Sequence, residues 1–578
     1  MPLVRAASET APGVASQPST WGTAVPETTG KCGACKRSWD SRWAPLFMCG
    51  IVLAGGLLRV FRIGSEGLWL DEAFSVWMGW QPLPKMLGWV VLLDQHPPLY
   101  YTILHFWMRL GDDPVTVRWL SAIVGTLTIP VIYLLGKRLM GVREGLLAAL
   151  LLAIAPFHVR FAQEARMYAL LCLSASLALL ALAHILTDSG AATVPIGSRL
   201  AWIGYILFTV ATMLSHNAGL LFPVAVNLFV VPFILLRRRQ IHPDDGLARP
   251  GFTGNSAGAG QGADSGDSLH PPSPRQWILA QLCVLLLWSP WLPAFLVQAR
   301  GVYREFWIAK PTLTTVVVAL GSLLGPQTTQ GRVFYGLVAA ISLALAWLGA
   351  HALRRRSAVL ALLSVLFLAP IAGELLISLR RPVFYDRTLI WITVPLYLLF
   401  AAGLAPLGVP ACGVARLGRR ATVVMVVTLM LALNGAFLRD YYYNFEKEQW
   451  REAAAYVSQR AEKDDLLLFN ATWVQIPFDY YYRSTSQRGT EHGVPVDLFG
   501  RNILEPKMTR DDVAYLQSLI RGRDRVWLIY SHNWYTDPEG LIPRALAGKL
   551  RMLDQRRFYG LEVRLYGAPG NPEGGNSG

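Results

Sequence analysis

The sequence predicts an all-α protein that crosses a membrane many times and carries a small α/β domain at its C-terminal end. Of its 578 residues, 53% are hydrophobic and only 16% are charged, whereas soluble proteins contain about 25% charged residues. The mean hydropathy is +0.35, and the apolar runs are too long for a soluble core. The net charge of +15 comes from basic residues between these runs, which is typical of cytoplasmic membrane loops and not of a nucleic-acid-binding surface.

Eleven apolar segments are long enough to cross a membrane. An α-helix rises 1.5 Å per residue, so about 20 residues cross a hydrocarbon core of about 30 Å. The segments are residues 45–63, 118–136, 145–163, 167–186, 200–216, 218–236, 277–298, 333–353, 357–379, 388–406 and 421–438. A further apolar stretch, residues 312–325, is too short to cross and is expected to lie at the interface or to re-enter the membrane.

Basic residues in alternate gaps predict the orientation of these segments. Lys137 and Arg138 follow the second segment, Arg237–Arg239 the sixth and Arg354–Arg356 the eighth. Because Lys and Arg collect in cytoplasmic loops, the N-terminus is predicted to be cytoplasmic. An odd number of crossings then places residues 439–578 outside the cell membrane.

The chain divides into a tail, a membrane domain and an outer domain. Residues 1–44 and 240–276 are rich in small and polar residues, and we expect a disordered cytoplasmic tail and a disordered cytoplasmic linker. The membrane domain spans residues 45–438. Cys32 and Cys35 in the tail resemble half of a zinc site, but without a second pair a solvent-exposed tail is favoured.

The outer domain, residues 439–578, shows both helical and strand patterns. Residues 446–462 have helical character, and residues 465–470 and 526–531 read as buried strands. Residues 562–566 alternate between polar and apolar side chains, as in a half-buried strand. This mixture predicts a small α/β domain.

The first outer loop, residues 64–117, holds acidic residues among Trp and Leu side chains. Asp71 and Glu72 form one acidic position and Asp94 forms another, with short apolar helices between them that are expected to lie on the membrane surface. Apolar surroundings raise the pKa of a carboxyl, which suits a base that removes a proton from an acceptor. Alternatively, Asp71 and Glu72 serve only to stabilise the first turn of a helix, and this reading stays open.

Two other outer corners are basic and aromatic. One contains Arg166 and Tyr168, and the other contains Arg380, Arg381 and Arg387 within residues 379–387. Arginines on the outside oppose the usual bias for basic cytoplasmic loops, so they indicate an anionic partner such as a phosphate.

Five segments together resemble a known family. They are FRIGSEGLWLDEAFS, DQHPPLYYTILHFWMRLG, VRWLSAIVGTLTIPVIYLLGKRLMG, APFHVRFAQEARMYALL and RPVFYDRTLIWITVPLYLLFAAGL. Their order is similar to that in the bacterial C-type membrane glycosyltransferases (the GT-C fold) related to protein O-mannosyltransferases and lipid A aminoarabinose transferases, the glycosyltransferase family 39 type. The resemblance covers residues 45–440 and extends weakly into the outer domain.

The resemblance implies an inverting transfer of a sugar from a polyprenyl-phosphate donor at the outer face of the cell membrane. The acceptor would be a protein, a lipid or a polysaccharide. Asp71 corresponds to the aspartate that acts in the family as the base or orienter for the acceptor, with Glu72 beside it, and Asp94 corresponds to the second acidic position.

Further positions concern the donor phosphate and a metal ion. The family's donor-binding corners fall on Arg166, Tyr168 and Arg387, and charge adds Arg381 to this set. No cofactor is expected to be required. Some relatives hold a divalent ion with an acidic residue and a histidine, for which the candidates are Asp94, His96 and His216.

Two other functions are compatible with a polytopic membrane protein. A secondary transporter would place ionisable groups near the membrane midplane and show repeated halves, whereas here the acids lie in outer loops. A noncatalytic sensor or assembly protein could share the fold, but Asp71, Asp94 and the arginine corner argue against it. Neither a phosphate-binding P-loop nor a dinucleotide-binding glycine motif occurs.

Overall fold

The computed structural model describes residues 41–188, 196–241, 269–304, 308, 310–325, 332–405, 415–482, 489–497 and 506–568. The predicted tail up to residue 40, including the cysteine pair, lies outside the described residues. Most of the predicted linker, residues 242–268, lies outside them too.

Seventeen α-helices are described before the outer domain. They are α1 (Ala44–Val60), α2 (Leu70–Trp80), α3 (Leu83–Leu92), α4 (Leu99–Trp107), α5 (Pro114–Leu139), α6 (Val142–Ile154), α7 (Pro156–Ala162), α8 (Tyr168–Asp188), α9 (Ile196–Ser215), α10 (Leu221–Ile241), α11 (Pro274–Trp288), α12 (Leu292–Arg304), α13 (Leu313–Ser322), α14 (Arg332–Leu353), α15 (Ser357–Ser378), α16 (Thr393–Leu404) and α17 (Ala415–Asn444).

The predicted membrane segments coincide with helices. Among the described residues, nine helical stretches are long and apolar enough to span a membrane, or ten if the bent pair α6–α7 is one span. The first predicted segment falls on α1, which at 17 residues is slightly shorter than a full span. The stretch 312–325 contains only the ten-residue α13, as its length predicted.

A proline produces the bend between α6 and α7. The two helices meet at an angle of 60°, and the break falls at Ala155, directly before Pro156. Proline has no N–H to donate and forces the preceding residue out of the helical region; accordingly, Ala155 is extended, with ψ of 117°. The bend redirects the chain into residues 163–167, which carry Arg166.

The first outer loop forms three short helices, α2 to α4. Asp71 and Glu72 lie in the first turn of α2, but no side chain of this loop caps its N-terminus. Instead, Glu448 of the outer domain accepts a hydrogen bond from the N–H of Leu70 at 3.1 Å. The capping role considered for the acidic pair is therefore filled by a carboxylate from elsewhere in the chain.

The outer domain is a five-stranded sheet with helices on both faces. Its elements are α18 (Trp450–Ser458), β1 (Leu466–Phe469), α19 (Thr472–Tyr482), β2 (Thr490–Gly493), α20 (Val513–Ile520), β3 (Arg525–Ser531), α21 (Asn533–Thr536), α22 (Leu541–Ala547), β4 (Arg551–Phe558) and β5 (Leu561–Gly567). The strand order is β2-β1-β3-β5-β4, with β1 parallel to β2 and β3 and the other pairs antiparallel.

The central strands are apolar on both faces because helices cover both. Leu467 and Trp527 pack with the residues of α18 and α19, while Leu466 and Val526 pack with those of α20 and α22. The predicted strands at β1, β3 and β5 are confirmed, as is the helix α18. The sequence analysis missed β2 and β4; β4 is exposed along almost its whole length, so it carries no apolar pattern. The predicted fold class is confirmed.

Candidate active site

A cavity of about 980 Å³ brings together parts of the chain that are far apart in sequence. Its lining includes Asp71 and Asp94 from the first outer loop and Arg166 from the segment after α7. The corner before α16 adds Arg387, and the outer domain adds His532. The acidic and basic positions singled out from the sequence thus lie around one space.

Asp71 lies between two arginines. Its Oδ2 is 3.2 Å from Nη1 of Arg387 and 3.9 Å from Nε of Arg166. Among the described residues the polar contacts found for this carboxylate run through Oδ2, and a quarter of the side chain is exposed. One oxygen is therefore bound by cations while the other is open to a ligand.

The expected rise in the pKa of Asp71 is wrong. Burial raises the pKa of this carboxyl, but the charges of Arg166 and Arg387 act in the opposite direction and leave the pKa below its usual value. The sequence analysis considered only the apolar neighbours of Asp71 in the loop. It missed that two distant arginines turn toward the same carboxylate.

Arg166, which lines the cavity, has unused hydrogen-bonding capacity. Arg166 is 3% exposed and its Nη1 donates to Tyr101 OH at 3.2 Å and to Ser75 Oγ at 3.3 Å. Its Nε is buried and has no hydrogen-bond partner among the described residues. A buried guanidinium nitrogen without an acceptor favours an anionic ligand at this position.

Aromatic rings hold the Arg387 guanidinium. Its central carbon lies 4.8 Å from the ring centre of Tyr385, 5.4 Å from that of Tyr168 and 6.0 Å from that of Trp69. Such cation–π contacts fix the plane of the guanidinium without using its N–H groups. Tyr168, predicted as a phosphate-binding residue, contacts the phosphate-binding candidate Arg387 through its ring.

Arg381 also lines the cavity. It is half-buried, whereas Arg380, the preceding arginine, is exposed and is not part of the lining. The structure thus places only one of these two adjacent arginines at the cavity, a distinction that the sequence does not make.

Glu72 does not line the cavity, unlike its neighbour Asp71. It is fully buried and accepts two hydrogen bonds from Arg118, at 2.7 and 2.6 Å. Lys447 donates to it at 3.1 Å and the N–H of Ala165 at 2.9 Å. Burial raises the pKa of Glu72, but Arg118 and Lys447 lower it to about 2 overall, so the group stays ionised. These contacts favour a structural role over the predicted catalytic one.

Asp94 and two histidines form a polar cluster in the cavity lining. Asp94 Oδ1 is 2.8 Å from Nδ1 of His96, and the rings of His96 and His216 are 5.0 Å apart. His216 Nδ1 already accepts a hydrogen bond from the N–H of Ala218 at 3.0 Å. Across the described ranges, no three His, Cys, Asp or Glu side chains are grouped as a metal site. A divalent ion here stays a prediction.

The structure adds two carboxylates that the sequence analysis did not select. Glu374 of α15 lines the cavity and accepts a hydrogen bond from Thr388 Oγ1 at 2.6 Å, while its Oε2 is buried and unpaired within the described residues. An acid inside a predicted membrane segment is itself a functional signal. Glu448 lies 3.3 Å from Nε2 of His532, and burial raises its pKa to about 7. No sequence pattern indicated that pair.

Comparison with known proteins identifies the fold. The family model described as dolichyl-phosphate-mannose-protein mannosyltransferase matches residues 95–242. ArnT from Cupriavidus metallidurans in the apo state superposes with a TM-score of 0.53 at 14% identity, covering 91% of this chain and 98% of that one. The chain has the fold of the C-type membrane glycosyltransferases. The fold predicted from the resemblance to the family 39 type is thereby confirmed.

Two further solved structures share this fold. ArnT from Cupriavidus metallidurans bound to undecaprenyl phosphate gives a TM-score of 0.51 at 15% identity, with 91% of this chain and 98% of that chain covered. The archaeal oligosaccharyltransferase AglB from Archaeoglobus fulgidus, in complex with an inhibitory peptide and a dolichol-phosphate, gives 0.52 at 12% identity, with 91% and 74% covered. No curated protein matches the chain in sequence.

The first prediction separates the two neighbouring acids by stability. Glu72→Gln leaves Arg118 and Lys447 as buried cations without their carboxylate, which should cost about 3–5 kcal/mol of folding free energy. The measurement is the thermal unfolding of purified protein in lipid nanodiscs. Asp71→Asn, one residue away and a quarter exposed, is the control and should lose less stability than Glu72→Gln. If the wild type, Glu72→Gln and Asp71→Asn unfolded at the same temperature, a structural role for Glu72 would be contradicted.

Proposed function

We propose that this protein is an inverting membrane glycosyltransferase that moves a sugar from a polyprenyl-phosphate donor to an acceptor. The observation that carries the proposal is the pair of guanidinium groups, Arg166 and Arg387, that meets the carboxylate of Asp71 at one cavity. The fold is that of ArnT and AglB, whose structures were determined with undecaprenyl phosphate and dolichol-phosphate. A phosphate that binds beside Asp71 brings the anomeric carbon of its sugar next to a carboxylate.

The two arginines stabilise the leaving group in this reaction. The bond between the anomeric carbon and the phosphate oxygen breaks, and its electron pair stays on the phosphate. Guanidinium groups bind phosphate oxygens through parallel N–H donors, and Arg166 Nε is a buried donor without an acceptor among the described residues. Because they are already positioned, these donors stabilise the charge that develops in the transition state.

Asp71 orients the acceptor and takes its proton. The acceptor oxygen attacks the anomeric carbon from the face opposite the phosphate, a new carbon–oxygen bond forms, and the acceptor proton passes to the free oxygen of Asp71. The resting carboxylate is ionised, so it orients the hydroxyl before it accepts the proton. Phosphate binding brings negative charge to the two arginines that also hold Asp71, which raises the pKa of Asp71 and makes it a stronger base.

We propose that the reaction takes place at the outer face of the cell membrane. Basic residues in alternate gaps support a cytoplasmic N-terminus, and the cavity lies against the outer domain. A reporter enzyme fused after Arg239 should be active in the cytoplasm, and one fused after Asp440 should be active outside. If the reporter fused after Asp440 were active in the cytoplasm, the outer domain, and with it the cavity, would lie in the cytoplasm.

The proposal predicts a specific loss of activity in Asp71→Asn. Asn keeps the shape of the side chain but cannot accept the proton, so transfer should fall by a factor of about 100 or more. The measurement is the amount of polyprenyl-phosphate-linked sugar, by mass spectrometry of lipids from a deletion strain that carries each variant. The donor should accumulate with Asp71→Asn.

The control for this experiment is Asp112→Asn in the same loop. Asp112 accepts a hydrogen bond from Trp80 Nε1 at 3.0 Å and does not line the cavity. This variant should keep the donor at the wild-type level. Wild-type donor levels with Asp71→Asn would remove Asp71 from the reaction.

The donor phosphate is tested by Arg387→Lys. Lys keeps the charge but lacks the second parallel N–H donor and the planar contact with Tyr168 and Tyr385. Loss of one charge-assisted contact costs about 1.5–3 kcal/mol, or a ~10- to 150-fold weaker affinity. The probe is undecaprenyl phosphate, titrated into purified protein in one lipid mixture.

The control variant is Arg380→Lys, an exposed position of the same corner outside the cavity lining. It should bind undecaprenyl phosphate as the wild type does. If Arg387→Lys binds equally well, Arg387 only anchors the helix end to lipid headgroups, and the phosphate would be assigned to Arg166 alone.

A further inference from the structure

One side of the cavity is built by the outer domain and differs in chemistry from the rest. Besides Phe445 at the start of this domain, five of its residues line the cavity: Trp473, His532, Trp534, Tyr535 and Tyr559. We call this set the outer wall. Trp473 belongs to α19 and His532 directly precedes α21. Trp534 and Tyr535 belong to α21, and Tyr559 lies in the turn between β4 and β5.

The outer wall carries no formal charge at neutral pH. Four members are aromatic, and burial lowers the pKa of the fifth, His532, to about 4. The lining from the membrane domain, in contrast, is charged, with the arginines Arg160, Arg166, Arg381 and Arg387 and the acids Asp71, Asp94, Glu374 and Asp386. The cavity therefore has one side that carries the charged groups, among them the four arginines, and an aromatic side without formal charge.

Two aromatic rings of the outer wall are open to solvent. Trp534 is 61% exposed and Tyr559 is 55% exposed. The ring of Tyr535 is less available, because the Lys507 ammonium lies 4.6 Å from its centre. Large exposed aromatic side chains grouped at a cavity are typical of a binding surface.

The rest of the outer wall is held in place. The backbone of His532 has φ of +50°, a left-handed conformation that is uncommon for a residue other than glycine. Its ring lies 4.8 Å from that of Trp473, its Nδ1 is 2.9 Å from Ser531 Oγ, and its Nε2 is 3.3 Å from Glu448. These contacts fix the ring against the cavity.

The chemistry of the outer wall selects its ligand. Aromatic faces carry negative partial charge and attract the C–H groups on the apolar face of a sugar ring. A phosphorylated lipid headgroup would need cations, which the outer wall lacks. A bound peptide strand would need an open sheet edge, and the edge strands β2 and β4 contribute no lining residue.

We propose that the outer wall is the acceptor subsite and that the acceptor is a neutral carbohydrate chain. This inference rests on the proposed function for the assignment as acceptor. The sugar ring stacks on Trp534 and Tyr559, and a hydroxyl of the same chain reaches Asp71, which lines the same cavity.

The test is binding of labelled ligands to the full-length protein in lipid nanodiscs, measured by fluorescence anisotropy without donor. The panel contains neutral tetrasaccharides of mannose, glucose and arabinose, a tetragalacturonate as an acidic sugar, and a Ser/Thr-rich peptide. At least one neutral tetrasaccharide should bind. Trp534→Ala and Tyr559→Ala should each weaken it about 3- to 10-fold, whereas Tyr559→Phe, which keeps the ring, should not.

The control is Tyr515→Ala, since Tyr515 of α20 is 39% exposed and lies outside the cavity lining. It should bind the sugar as the wild type does. The proposal is overturned if no neutral tetrasaccharide binds, if only the acidic sugar or the peptide binds, or if Tyr515→Ala weakens binding as much as Tyr559→Ala. Because no donor or turnover is involved, a failure of the transferase proposal in the Asp71→Asn experiment leaves this result interpretable.

Discussion

The architecture of the site depends on one buried carboxylate, Glu72. It is fully buried and binds Arg118 of α5, Lys447 at the entrance to the outer domain and the N–H of Ala165. Arg118 in turn donates to the backbone oxygens of residues 63, 66 and 67. A charge in this position is tolerated only because every partner is present. The first outer loop, the segment with Arg166 and the outer domain are consequently held in a single arrangement.

This arrangement gives two adjacent acids opposite roles. In α2, Glu72 points into the protein and is saturated by cations, whereas Asp71, one residue earlier, lines the cavity and keeps one oxygen unpaired among the described residues. Neighbouring residues of a helix point about 100° apart, so a single turn supplies both the buried, cation-bound carboxylate and the proposed base. Any displacement of Glu72 therefore moves Asp71, and the stability of this cluster sets the geometry of the proposed reaction.

Most of the fold could be predicted from the sequence because its signals are local. Apolar runs of about 20 residues identify membrane helices by composition alone, and the buried strands β1 and β3 are continuous apolar segments. The elements that were missed are those without such a pattern. The strand β4 is exposed and polar, and its place is set by pairing with β5, which only the folded domain reveals.

The site was predictable only where a motif was available. Asp71, Arg166 and Arg387 were selected from the order of motifs, and they meet at one cavity. The pKa of Asp71 was not predictable, because the cation nearest to it is 316 residues away in sequence. Glu448 caps α2 from 378 residues away and has no motif of its own. Motifs therefore select candidate side chains, whereas the ionisation of these side chains is decided by long-range contacts that bring the arginines and the outer domain to the same helix.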